Sequence, residues 1–189
     1  MSRIISGLAG SIRLSAAPNG TRPTSDRVKE SLFAALEARG ALEGADVLDL
    51  YAGSGALGLE SLSRGAKSLV AVESSRPALN VCLKNASSVG SALSAAGARP
   101  PMEIKLSDVF AYLASTTKEF DLVFADPPYD QGASEKLIEL VATVLKRDGL
   151  FVLEVSDRTV SPETGELFVV ESEKSYGDTK VLIFRLTAQ

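Results

Sequence analysis

The chain has no histidine at all and a single cysteine, Cys82. Without histidine the commonest general base is missing. So are the Ser-His-Asp and Cys-His nucleophile systems and most transition-metal sites. The sequence therefore predicts no metal, and any chemistry must come from carboxylates, backbone groups or a bound cofactor. One cysteine cannot close an internal disulfide, which fits a reducing cytoplasm. Also missing is an apolar run of the roughly eighteen residues that a membrane helix needs. The opening Met1-Ser2-Arg3-Ile4-Ile5-Ser6-Gly7 lacks the apolar core of a secretion signal. No internal repeat is visible.

What is present is ordinary for one α/β domain: 189 residues, 45% hydrophobic and 23% charged. The net charge of −4 is uneven. Residues 1–30 hold Arg3, Arg13, Arg22, Arg27 and Lys29 against Asp26 and Glu30, a local +3 beside −7 for the rest. A basic segment on an acidic body suits contact with phosphate.

Arg3–Ser6 and Ser11–Leu14 read as a small hairpin around Gly7–Gly10, and Thr24 or Ser25 as the cap of a helix bearing Val28, Leu32, Phe33 and Leu36. From Ala45 onward, short apolar runs alternate with helical segments. Strands are predicted at Val47–Leu50, Ser68–Glu73, Met102–Leu106, Leu122–Ala125 and Leu150–Val155, with helices at Ala56–Arg64, Arg76–Ala86, Val109–Leu113 and Glu135–Leu145. This alternation predicts a parallel, doubly wound sheet. Two last runs, Leu167–Val170 and Lys180–Leu186, lie about ten residues apart, too close for a crossover helix, and should pair antiparallel. Ser87–Pro101, rich in Ala, Ser and Gly, reads as a surface loop.

Asp49 ends the first strand before Tyr51-Ala52-Gly53-Ser54-Gly55-Ala56-Leu57-Gly58, and Glu73 ends the second. Glycines allow a tight turn and close approach of a ligand to a helix N-terminus, and an acidic residue at the tip of strand two can accept from ribose hydroxyls. A dinucleotide or S-adenosylmethionine fits that pattern. Asp49 favours the second, because a carboxylate there would accept from an α-ammonium group and repel a pyrophosphate. Ser107-Asp108, after the third strand, is placed to meet an adenine amino group, or Asp108 caps the next helix.

After the fourth strand stands Asp126-Pro127-Pro128-Tyr129. Two prolines stiffen the backbone and leave only carbonyl acceptors. The exocyclic amine of a base is a poor nucleophile. Accepting its hydrogens through Asp126 and the Pro127 carbonyl would aim its lone pair, while Tyr129 stacks on the ring. Cys82 falls on the helix after Glu73, away from this place, and reads as a small core residue rather than a nucleophile.

Asp49–Gly58, Val72-Glu73 and Asp126–Tyr129, with Arg3–Gly7 and Arg22–Phe33, resemble the RsmD-type bacterial enzymes that methylate N2 of a guanine in 16S ribosomal RNA. The resemblance spans nearly the whole chain. It implies a Rossmann-like class I methyltransferase fold: a seven-stranded, mostly parallel sheet with an antiparallel C-terminal hairpin, and a small N-terminal β-hairpin and helix. Residues 1–40 would be an RNA-facing extension and residues 41–189 the methyltransferase domain. S-adenosylmethionine would meet Asp49, Gly53, Ser54, Gly55, Glu73, Ser74, Ser107 and Asp108. Asp126, Pro127 and Tyr129 would hold the guanine, and Arg3, Arg13, Arg22, Thr24 and Arg27 would contact RNA. A cytoplasmic monomer acting on 16S RNA within an assembling small subunit is expected. Rival readings are an amino-methyltransferase acting on DNA, a dinucleotide-dependent oxidoreductase, and a non-catalytic RNA-binding protein.

Overall fold

The computed structural model describes residues 2–17, 25–128, 135–160, 162 and 164–187. Its elements are β1 (Ser2–Arg3), β2 (Arg13–Leu14), α1 (Asp26–Glu37), β3 (Asp46–Leu50), α2 (Ala56–Ser63), β4 (Ser68–Glu73) and α3 (Arg76–Ala95). They continue with β5 (Met102–Leu106), α4 (Val109–Ser115), β6 (Phe120–Ala125), α5 (Glu135–Val144), β7 (Leu145–Ser156), β8 (Phe168–Tyr176) and β9 (Thr179–Leu186).

Seven strands form one sheet in the order β5-β4-β3-β6-β7-β9-β8. The first five are parallel, and β9 pairs antiparallel with both β7 and β8. The central strands read as almost continuous apolar runs because both faces are covered. One face carries Val47, Leu69, Ala71, Phe124 and Val152 against α1, α2, α3 and the N-terminal segment. The other carries Leu48, Val70, Val123, Phe151 and Leu153 against α4 and α5. Sequence order reverses between β3 and β6, the switch point where open α/β sheets take their ligands.

Three expectations for residues 45–189 are corrected. Ser87–Pro101 is not a loop, since α3 runs on to Ala95. Cys82, Ala86, Val89 and Leu93 continue its buried stripe at helical spacing, which the small polar residues between them conceal. Gly97, at φ +85°, then ends it. The C-terminal strands are joined by two residues, Gly177-Asp178, not about ten. Strand β8 forms the edge of the sheet, so its polar half stays exposed, and Glu171 is held by Arg39 and Arg185. Strand β7 begins five residues earlier than expected, at Leu145, which pairs with Phe120 rather than closing α5.

The first strand of the N-terminal hairpin ends sooner than its alternation suggests. Ser2–Arg3 pair with Arg13–Leu14, Ile4 N–H donates to the Ile12 carbonyl at 2.9 Å and Ser11 N–H to the Ile4 carbonyl at 2.8 Å, and from Ile5 the amides turn away. Ile5 N–H and Ser6 N–H donate to Glu60 Oε2 and Oε1 at 2.7 and 3.1 Å. Ala9 N–H donates to Ser63 Oγ at 2.9 Å, and Leu8 N–H to the Ser63 carbonyl at 2.8 Å. Gly7 sits against that same carbonyl, where a Cβ would lie 1.9 Å from its oxygen. Glu60 is fully buried and also receives Arg64 Nε at 2.7 Å. The Arg64 guanidinium lies 5.0 Å above the Phe33 ring of α1. Ser25 caps α1, accepting from Val28 N–H. Lys29, also fully buried, donates to the Arg3 carbonyl. The segment before α1 is thus stitched to the last turns of α2.

Replacing Glu60 by Ala strands two amides and the Arg64 guanidinium in the core. Breaking a buried charged contact costs about 3–5 kcal/mol. Chemical denaturation of Glu60→Ala should read a loss of that size, with the amides of Ile5 and Ser6 losing protection from hydrogen exchange. A loss below about 1 kcal/mol would contradict this anchoring role.

Candidate active site

Side chains alternate along a strand, so every second residue shares a face. Val47, Ala71, Phe124 and Val152 all lie on the face covered by α1 and α2. Two residues further along each strand come Asp49 on β3, Glu73 on β4, Asp126 just past β6 and Glu154 on β7. On that face Asp49 lies level with Ala71 and Phe124, and Glu73, Asp126 and Glu154 stand two residues further toward the carboxyl ends of β4, β6 and β7, on adjacent strands whose axes are about 4.8 Å apart. They are strung along the sheet edge. Among the described residues no three acidic, histidine or cysteine side chains converge to hold a metal.

Asp49 is the most enclosed of the four. It is 3% exposed, and its Oδ2 accepts the Gly58 N–H at 2.9 Å. Burial, opposed by that hydrogen bond and helped by the charge of Glu73, pushes its carboxyl up to about 7. A Cβ at position 58 would sit 2.5 Å from Leu69 Cδ1 and 3.0 Å from Asp49 Oδ2, so a larger residue there would press on the Leu69 side chain and on this contact. Glu73, also buried, is held by both oxygens: Gly53 N–H donates to Oε2 at 2.8 Å and Ser75 N–H to Oε1 at 2.7 Å. Each oxygen keeps a further lone pair, as the two hydroxyls of a ribose require. Ser107 N–H reaches the Glu73 carbonyl at 3.1 Å, which brings the turn after β5 to the same place. Asp108 caps α4, accepting from Ala111 N–H at 3.0 Å. Ser74 is exposed on the rim, and Gly53, Ser54 and Gly55 form the turn itself.

Asp126 presents surface to solvent, whereas Pro127 behind it is buried. Crowding by protein, then the charges of Glu154 and Asp49, raise the Asp126 carboxyl above the usual carboxylate range. Tyr129, Arg22 and Thr24 lie outside the described residues. Arg3, Arg13 and Arg27 are all exposed. Arg3 stands opposite Arg13 across β1 and β2 and also pairs with Asp26 at 3.2 Å. Cys82 is fully buried beneath Gly55, and burial pushes its thiol up to about 12, so it offers no nucleophile.

Three residues escaped the sequence reading. Glu154 looked like one polar position in an apolar strand. Asn85 sits in the buried stripe of α3 and bridges two segments: its Nδ2 donates to the carbonyls of Ser54 at 2.9 Å and Ser15 at 3.0 Å, while its Oδ1 accepts from Ser15 N–H at 2.8 Å. A polar residue inside an apolar helical stripe was the available signal. Tyr51 opens the turn at φ +57°, a left-handed conformation that costs a bulky residue about 1 kcal/mol. Ala52 N–H holds the next residue to the Val72 carbonyl at 3.0 Å.

A seven-stranded sheet in this order, its last pair antiparallel and its switch point acidic, defines a class I methyltransferase fold. Such enzymes draw their methyl group from S-adenosylmethionine, and the donor set here fits that cofactor. Its positive charge suits a row of carboxylates, which would repel the pyrophosphate of a dinucleotide. A family model described as conserved hypothetical protein 95 matches residues 2–185, and the chain belongs to that family, the RsmD-type methyltransferases. The ribosomal RNA small subunit methyltransferase D of Escherichia coli (strain K12) is 33% identical over 172 residues, covering 90% of this chain and 82% of that protein. The solved structure of yhhF from Escherichia coli superposes with a TM-score of 0.83 at 32% identity, covering 100% of this chain and 99% of the other. At the level of fold alone, SMU.776, solved in complex with SAH, matches with a TM-score of 0.63 at 14% identity, over 84% of this chain and 50% of its own.

The state of Asp49 can be measured. A buried aspartate raised from 3.8 to about 7 stays protonated in the folded chain at pH values where the unfolded chain has already released its proton. This group therefore lowers the stability of the ligand-free protein as pH climbs between those values, and the loss is complete above about 7. Asp49→Asn keeps an acceptor for Gly58 N–H and removes the charge. At pH 8 the ligand-free variant should melt roughly 5 °C higher than the parent. It should also bind S-adenosylmethionine at least about tenfold more weakly. A lower melting temperature for Asp49→Asn would contradict the assignment.

Proposed function

We propose that this protein transfers a methyl group from S-adenosylmethionine to N2 of a guanine in 16S ribosomal RNA, on a small subunit during its assembly. The observation that carries the reading is the row Glu73, Asp49, Asp126 and Glu154, with a stiff Asp-Pro-Pro turn beside the glycine turn. Asp49 would receive the α-ammonium of the cofactor and Glu73 its ribose, while Gly53, Ser54, Gly55, Ser74, Ser107 and Asp108 line the remaining wall. Bound there, the cofactor supplies an activated methyl group.

Asp126 and the Pro127 carbonyl accept the two amine hydrogens, and Tyr129 stacks on the base, a contact worth roughly 1–3 kcal/mol. The transfer is a direct displacement, so the residues act mainly by alignment. Arg3, Arg13, Arg22, Thr24 and Arg27 would meet the RNA backbone from the 1–40 segment, with residues 41–189 as the methyltransferase domain. The name of the Escherichia coli relative, ribosomal RNA small subunit methyltransferase D, supports the substrate class. Among the described residues no helix is long and apolar enough to cross a membrane. We expect a cytoplasmic monomer.

Labelled methyl transfer to unmethylated small-subunit particles, with the product nucleoside identified, tests the reading, and N2-methylguanosine is the expected product. Methylated adenosine or cytidine would keep the mechanism and overturn the target. Transfer to DNA alone would favour the DNA enzyme. Asp126→Ala should lower the transfer rate by at least about a hundredfold while leaving cofactor affinity within about threefold. A near-normal rate in that variant would remove Asp126 from the chemistry.

A further inference from the structure

Asn85 lies halfway along α3, buried, and its side-chain amide is shared between two segments remote from it in the chain. Nδ2 donates to the Ser54 carbonyl at 2.9 Å and to the Ser15 carbonyl at 3.0 Å, while Oδ1 accepts the Ser15 N–H at 2.8 Å. These partners dictate the orientation of the amide, because a flipped side chain would set its oxygen against two carbonyls. Strand β2 ends at Leu14, which pairs with Ser2. At the next residue both main-chain groups pass to Asn85, as if the side chain were a strand one residue long. The anchor is stiff, since Cys82, Ala86 and Val89 beside it on α3 are buried in the core. On the other side, Ser54 belongs to the glycine turn. The amides flanking it are already committed, Gly53 N–H to Glu73 and Gly55 N–H to the Ala52 carbonyl at 2.7 Å. Asn85 thus joins that turn to the segment carrying Arg3 and Arg13.

We propose, resting on the methyltransferase reading, that Asn85 is a positioning residue through which the cofactor and the RNA strengthen each other's binding. One rigid amide cannot hold two carbonyls at 2.9 and 3.0 Å unless both stay in place. A cofactor seated on Gly53, Ser54 and Gly55 holds the turn still. Through Asn85 it also steadies Ser15, which Arg22 and Thr24 follow in the chain. Part of the ordering that RNA would otherwise impose on this arm is then already done, so the RNA binds more tightly. The effect is reciprocal, since RNA held on the arm steadies the turn by the same route. Asn85 acts through Ser15 and Ser54, and its contribution is the ratio between two affinities rather than either affinity alone.

The test measures the affinity of the full-length protein for unmethylated small-subunit particles, with and without saturating S-adenosylhomocysteine. The parent should bind particles at least about fivefold more tightly when S-adenosylhomocysteine is present. In Asn85→Ala the two affinities should agree within about twofold. A variant that is merely loosened would lose affinity alike in both conditions and keep the parent's ratio. Hydrogen exchange in the parent keeps the test decisive if Asn85→Ala does not fold. S-adenosylhomocysteine should slow exchange of the Ser15 amide at least about threefold more than that of the Ala9 amide, which Ser63 holds instead. Equal slowing of the two amides, a ratio near one in the parent, or an undiminished ratio in a folded Asn85→Ala would each overturn the inference. A parent that does not bind S-adenosylhomocysteine would overturn the methyltransferase reading, and one that binds it but not the particles would overturn the ribosomal target, the inference falling with either.

Discussion

Placing a carboxylate where water cannot reach it demands a backbone donor close by, and that demand organises this molecule. Asp49 obtains its donor from Gly58, in the first turns of α2. Glu60, two residues further on, obtains donors from Ile5, Ser6 and Arg64. One short helix thus serves two buried acids, one on the sheet and one of its own. The first contact holds the glycine turn against the sheet. The second ties the basic N-terminal segment to the same helix. Unsatisfied, either acid would cost more than most single core contacts supply.

The acidic row then explains itself through its partner. Four carboxylates on one face of neighbouring strands repel each other, and the raised position of Asp49, mainly the result of burial, records part of that cost in the ligand-free chain. A cationic ligand turns the same repulsion into attraction. The site is built at the expense of the free protein's stability, a common arrangement where charge must be matched on binding.

Much of this was legible in the residues. The strands Ser68–Glu73 and Met102–Leu106 could be bounded as they stand, because apolar runs end at carboxylates or turns. Asp49, Glu73 and Asp126 announced themselves at strand ends, Asp49 just ahead of the glycine turn, Glu73 at the tip of the next strand and Asp126 against two prolines. The far half of α3 did not, since Ser, Gly and Ala dilute a stripe that only burial reveals. Strand β8 was cut short for the opposite reason: an edge strand needs no apolar alternation on its outer face. Glu154 and Asn85 were invisible for a third reason. A polar residue amid apolar ones gives no hint of its partner until the register between strands, or the approach of a distant loop, is known.

Helix α2 has eight residues, so it is only about 12 Å long. Pivoted at its Asp49 end by roughly 10°, its Ser63 end would swing by about 2 Å. The contacts there, at 2.6 to 2.9 Å, have no such slack. The hairpin and the glycine turn are therefore coupled through α2, and a load applied to the outer segment is carried toward the switch point, as through a short strut.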